Sequence, residues 1–162
     1  MEALPDYPQL KFVLGLQESV VMGMADGFAR ASRQLTAANV HVAPGLGNAM
    51  GALYNAKFSG SPVILTAGQQ EQGHGLLEPL LYDDLASMAA PLVKWSIEVT
   101  RLQDLPLIMR RAAKIAMTPP TGPVFISLPG DILNDMADIE LGQSVRIDHR
   151  VRPSDASLSE LA

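Results

Sequence analysis

Cysteine is missing from all 162 residues, which excludes a disulfide framework, a thiolate nucleophile and a Cys-ligated metal. Aromatic residues make up only 5%, which favours tightly packed helices against a sheet over an aromatic-rich binding surface. Basic runs are lacking too: 12 Lys and Arg stand against 17 Asp and Glu, for a net charge of −5. Such a chain has no electrostatic footprint for nucleic acid, and an anionic membrane is disfavoured for the same reason. No apolar run reaches the ~18 residues needed to span a bilayer. The start, Met1-Glu2-Ala3-Leu4-Pro5-Asp6, lacks the basic and apolar regions of a secretory signal. These absences together lead to the expectation of a soluble cytoplasmic domain.

With 48% hydrophobic residues and 13 glycines, the chain is long enough to bury one sizeable core. Lys11–Leu16 is an apolar run of strand length, and Ala37–Val42, Val63–Ala67, Val93–Val99 and Val124–Leu128 read as further strands. Helical spacing runs through Val20, Val21, Met24, Phe28 and Ala31, leaving Asp26, Arg30 and Arg33 to face water. A second helix follows through Ala49, Met50, Leu53, Tyr54 and Phe58, and a third spans Gln103–Met117. Leu76–Ala90 holds one or two short helical pieces interrupted at Pro79, and Gly68–Gly75 reads as a polar loop. Alternating strands and helices with short connections predict an α/β fold: an open, mainly parallel sheet with helices on both faces, in three layers. Residues 1–143 form the domain, and 144–162 read as a linker or tail.

Ligands of open parallel sheets bind beyond the carboxyl ends of the strands. Leu16-Gln17-Glu18, His41–Gly47 and Ala67–Gly75 each follow a strand, so they should converge there. Glu18 opens a helix, where an acid suits the dipole. Partial burial would favour its protonated form, and a protonated carboxyl can donate a hydrogen bond to a ring nitrogen. Gly45-Leu46-Gly47-Asn48-Ala49-Met50-Gly51 is one residue too long for a dinucleotide fingerprint. Its structural reading is a tight turn at Gly45 and Gly47, with Gly51 permitting close helix packing. His41 ends a strand and His74 sits in the polar loop. His149 falls in the tail, and none of the three has a metal partner in view. Asp83-Asp84 reads as a solvated helix start.

Taken together, these segments resemble the pyrimidine-binding domain of thiamine-diphosphate-dependent enzymes, on the benzoylformate decarboxylase branch. Residues Leu16 to Ala29 look like that family's glutamate helix, and His41 to Leu53 like the following strand and glycine turn. Pro62–Gln70, Pro91–Ser96 and Gly122–Pro129 continue the likeness in the same order. The resemblance implies that Glu18 hydrogen-bonds N1′ of the cofactor's aminopyrimidine and favours its imino tautomer. The cofactor then loses its C2 proton and attacks a 2-oxo acid. By the same resemblance His41 transfers protons, Gly45, Gly47 and Asn48 lie at the cofactor, and Leu80 and Leu81 line the substrate pocket. Those two leucines would serve an ordinary core equally well.

The family's first strand, with its Gly-x-Pro-Gly turn, is not found in this sequence. Nor is the diphosphate–magnesium motif, since Gly130-Asp131 runs on into Ile132. The resemblance therefore implies half of a site, with Mg2+ and the diphosphate held by another domain of the same enzyme. A missing central strand would leave strand edges open and promote self-association into a homo-oligomer. Two other readings stand beside this one: a non-catalytic binding or assembly module that retains the fold, and a mononucleotide or flavin binder built on the glycine turn.

Overall fold

The computed structural model describes residues 4–143 and 152–161. Helix α1 (Glu18–Ser32) leads into strand β1 (Thr36–His41), and α2 (Val42–Ser59) joins β1 to β2 (Val63–Gln69). Helix α3 (Leu85–Ala89) precedes β3 (Ser96–Glu98), and α4 (Leu105–Met117) leads to β4 (Val124–Pro129). Two short helices, α5 (Gly130–Asn134) and α6 (Asp155–Leu161), follow. The four strands make one parallel sheet in the order β1-β2-β4-β3.

Strands β2 and β4 occupy the centre, so their apolar runs are buried on both faces. Met22, Ala25 and Ala29 of α1 join Leu46, Ala49 and Leu53 of α2 and Leu85 of α3 over one face of the sheet. On the other face Ile108, Ala112 and Ala116 of α4 pack against Ile64, Val124 and Ile126. Pro106 is tolerated in the first turn of α4, where no intrahelical donor is lost, and Lys114 lies in its last turn. Side chains as large as Phe125, Met22 and Leu53 are fully buried, each contributing about 1.5–3 kcal/mol.

The structure corrects several expectations. Lys11–Leu16 is not a strand, and Phe12, Val13, Leu14 and Leu16 are exposed. A strand needs a neighbouring backbone, and the described residues offer that run none. Correspondingly, among the described residues β1 pairs only with β2. Its burial alternates, with Ala38 and Val40 inside and Ala37, Asn39 and His41 exposed. Helix α1 is also rotated from expectation. It buries Met22, Ala25, Asp26 and Ala29, while Val20, Met24 and Phe28 face outward. Asp26 does not face water, because Ser61 Oγ donates to its carboxylate in the interior. Gly68 and Gln69 belong to β2 rather than to the loop, paired with Leu128 and Pro129. Strand β3 is shorter than predicted, although Phe125 N–H still donates to Trp95 O at 2.9 Å.

His149 and the first part of the predicted tail lie outside the described residues. Helix α6, within that tail, buries no residue. No helix among the described residues is long and apolar enough to cross a membrane.

Candidate active site

At the carboxyl end of β1 the chain reverses sharply into α2, and this turn is not made by the glycines. Val42 itself takes φ 46°, a left-handed conformation that a β-branched residue rarely adopts. Helix α2 has already begun there, so Pro44, Gly45 and Gly47 lie in its first turns. Gly45 lies instead against the Glu18 side chain. A Cβ at Gly45 would stand 3.4 Å from Glu18 Oε1 and 3.5 Å from Val40 Cβ. The positions a Cβ would take at Gly47 and Gly51 have no neighbour within 4 Å, so the close helix packing predicted at Gly51 is not found.

Glu18 is the first residue of α1, yet it does not cap the helix. Gln17 does, its Oε1 accepting from Val20 N–H at 3.1 Å and also from Ser19 Oγ. The Glu18 side chain is therefore released to cross to α2, where Asn48 Nδ2 donates to Oε2 at 3.2 Å. Oε1 faces Gly45 and has no hydrogen bond among the described residues. Glu18 is half-buried, with one carboxyl oxygen held by Asn48 and the other without a hydrogen bond among the described residues. Nothing else among the predicted site residues combines burial with an unused polar atom.

His41 pairs with Gly68 of β2, and a Cβ on Gly68 would lie 4.0 Å from His41 Nδ1. Alternation along β1 places the His41 ring on the face opposite Val40, exposed and without a hydrogen bond among the described residues. Glu18 and His41 thus flank the end of one strand from two sides.

The third segment arrives from β2. Gln69 Nε2 donates to Asp83 O at 2.7 Å, and Gln70 Nε2 donates to Leu80 O at 3.3 Å. Ala43 N–H, in the first turn of α2, donates to Leu81 O at 3.4 Å. Leu81 (φ 78°) is left-handed, as is Glu78 (φ 48°) in the same segment, and Leu81 O meets the amide of the residue after Val42. Strain of this kind costs about 1–3 kcal/mol and gathers at ligand sites. Leu80 and Leu81 are not core: Leu80 is 85% exposed and Leu81 38%. His74 stands exposed at a short 3-10 turn. Asp84 caps α3, accepting from Ser87 N–H at 3.0 Å and Ser87 Oγ at 2.6 Å. Those two hydrogen bonds hold its carboxyl below the usual aspartate range.

Sequence reasoning missed Asp131, in the first turn of α5. Its carboxylate accepts from Gln72 N–H at 3.1 Å and from Gln72 Nε2 at 2.8 Å. No local signal marks this pair, since 59 residues separate its members. Among the described residues, no group of three or more His, Asp or Glu stands together to hold a metal ion.

An open parallel sheet with a half-buried carboxyl, an exposed imidazole and two strained turns at one end defines an α/β ligand-binding domain. The family model for the thiamine pyrophosphate enzyme, N-terminal TPP binding domain, matches residues 1–86, and the chain belongs to that family. It is 45% identical over 130 residues to benzoylformate decarboxylase of Pseudomonas aeruginosa, covering 79% of this chain and 25% of that enzyme. Identity to the acetolactate synthase large subunit of Buchnera aphidicola is 31% over 132 residues, covering 82% of this chain and 23% of the synthase. The crystal structure of benzoylformate decarboxylase from Polynucleobacter necessarius superposes with a TM-score of 0.83 at 38% identity. That superposition covers 98% of this chain and 30% of the other. The chain thus spans about a quarter of the length of the curated relatives it matches.

Proposed function

We propose that this chain is the pyrimidine-binding part of a thiamine-diphosphate-dependent 2-oxo acid decarboxylase, acting on the cofactor through Glu18. The observation that carries the proposal is the division of labour between the two oxygens of Glu18. Asn48 holds Oε2, while Oε1 remains unbonded beside the bare backbone of Gly45. A flat heteroaromatic ring can approach that oxygen because Gly45 adds no side chain there. A single hydrogen bond between the carboxyl and a ring nitrogen then fixes the ring and transmits a proton. When bound, thiamine diphosphate supplies the electron sink for the electron pair released as carbon dioxide departs.

His41, exposed at the end of β1, is positioned to exchange a proton with a substrate on the far side of the strand. Leu80 and Leu81 offer apolar contact to the substrate's side chain. The 45% identity to a benzoylformate decarboxylase, against 31% to an acetolactate synthase, supports the decarboxylase branch. In this reading residues 1–143 form the pyrimidine-binding unit and 144–162 a linker. Mg2+ and the diphosphate are held by a further domain of the same enzyme, and a chain without cysteine suits the cytoplasm. Among the described residues the outer edge of β1 is unpaired, and the strand has no Lys, Arg, Asp, Glu or Pro to blunt it, so the chain self-associates. Strictly monomeric sedimentation would count against that last point.

The test supplies this chain together with the diphosphate domain and measures carbon dioxide release from 2-oxo acids. Glu18→Gln is expected to lower kcat by about 10²–10⁴-fold. Equal activity in the variant and the wild type would refute the role given to Glu18.

A further inference from the structure

The connection between β2 and α3, residues 70–84, carries Leu80 and Leu81 and is fastened to neighbouring elements at three places. Two fastenings end on main-chain carbonyls of the loop, those of Asp83 and Leu81, while Gln70 braces the loop internally on Leu80 O. The third is different in kind. Gln72 gives both its backbone N–H and its side-chain amide to the two oxygens of Asp131, on α5 just beyond β4. This is the grip on the loop's leading half, and a charged acceptor makes it stronger than a neutral one.

The path of the chain beyond Gln72 depends on that grip. Gly73 turns the backbone at φ 79°, and Gly75 then lies directly against the Tyr82 ring, so the two limbs of the loop fold on each other. Displacement of Gln72 therefore moves Gly75, and with it Tyr82 and the neighbouring leucines. Burial pushes the Asp131 carboxyl up, but the bonds from Gln72 and from the amides of its own helix turn outweigh that. They hold it below the usual aspartate range and keep it an acceptor at both oxygens.

We propose that Asp131 is a positioning residue that, through Gln72, sets how Leu80 and Leu81 sit over the carboxyl end of the sheet. It thereby fixes the size of the 2-oxo acid side chain that is admitted. The inference rests on the decarboxylase reading for its substrate, whereas the tether itself stands on geometry alone.

Asp131→Asn preserves shape but replaces one acceptor oxygen with a donor, so it cannot receive the two Gln72 bonds on separate oxygens as the carboxylate does. Hydrogen–deuterium exchange on the full chain reads the tether. Amides of residues 70–84 should exchange about tenfold or more faster in the variant, with β2 and β4 unchanged. Kinetics with the diphosphate domain supplied reads selectivity. KM for bulky against small 2-oxo acids should shift by about tenfold in ratio, with kcat held within about twofold. Asp131→Glu, which keeps both acceptor oxygens, should recover part of each effect. Unchanged loop exchange overturns the proposal, and so does faster exchange with an unchanged KM ratio. A wild-type enzyme that decarboxylates no 2-oxo acid defeats the functional reading instead, and the selectivity claim falls with it.

Discussion

The two ends of the sheet use their polar groups in opposite ways. At the amino end they saturate one another. Lys94 Nζ donates to Ile115 O at 2.6 Å and Thr118 O at 2.7 Å, closing the last turn of α4. Lys57 Nζ donates to Pro91 O at 2.6 Å, Thr121 Oγ1 to Gly60 O at 2.5 Å, and Ser61 Oγ to buried Asp26. Thr36 Oγ1, buried without a partner among the described residues, is an exception. At the carboxyl end, by contrast, Glu18 Oε1 and the His41 ring remain unused, and three non-glycine residues, Val42, Glu78 and Leu81, hold left-handed backbone, against one, Arg33, at the amino end among the described residues. A fold that satisfies its polar atoms gains stability. One that leaves them aimed at open space, and bears strain in doing so, keeps them for a ligand.

This contrast can be broken by substitution, and the largest stability effect belongs to the amino end. Asp26→Ala strips the buried Ser61 hydroxyl of its acceptor and should cost about 1–3 kcal/mol in urea unfolding. A loss below about 0.5 kcal/mol would show that the buried pair is dispensable.

Asp84→Ala, which removes the α3 cap, comes next at about 1 kcal/mol near neutral pH. The hydrogen bonds from Ser87 lower the folded-state pKa of Asp84, so its contribution is complete above the ordinary value of 3.8. It then fades as pH falls through the lowered folded value. The gap between wild type and variant should therefore close in strong acid. A gap that stays constant across that range would assign the loss to something other than the carboxylate.

The smallest stability effects are expected at the unused groups. His41→Ala and Leu80→Ala should each shift unfolding by less than about 0.5 kcal/mol, since both side chains are exposed. Their effects should appear in substrate kinetics instead. A large stability loss at either position would erase the distinction between the two ends.

Much of the central architecture was legible because it is locally encoded. Val63–Leu65 and Val124–Ile126 are short, continuous apolar runs, and α4 repeats its apolar residues at helical spacing. Glu18 does meet the α2 turn, though not for the reason the sequence offered: no strand precedes it, and the packing of α1 against α2 brings it there. The failures also have physical causes. In α1, hydropathy favours the bulky stripe Val20, Met24 and Phe28. Packing against α2 and the sheet instead selects the smaller Ala25 and Ala29 with Met22. Lys11–Leu16 has the composition of a strand, but pairing is a property of two segments and cannot be read from one. Glycines at 45 and 47 drew the turn away from Val42, where neighbouring contacts enforce a conformation that residue type argues against. Asp131 and Gln72 meet only because β2 and β4 are adjacent in the sheet.

The most direct test of the account follows deuterium exchange at C2 of thiamine diphosphate bound to the enzyme that contains this domain. Glu18→Gln should slow that exchange by about two orders of magnitude or more relative to wild type, while the cofactor remains bound. Exchange at the wild-type rate would mean that the free oxygen beside Gly45 is not where the cofactor is activated.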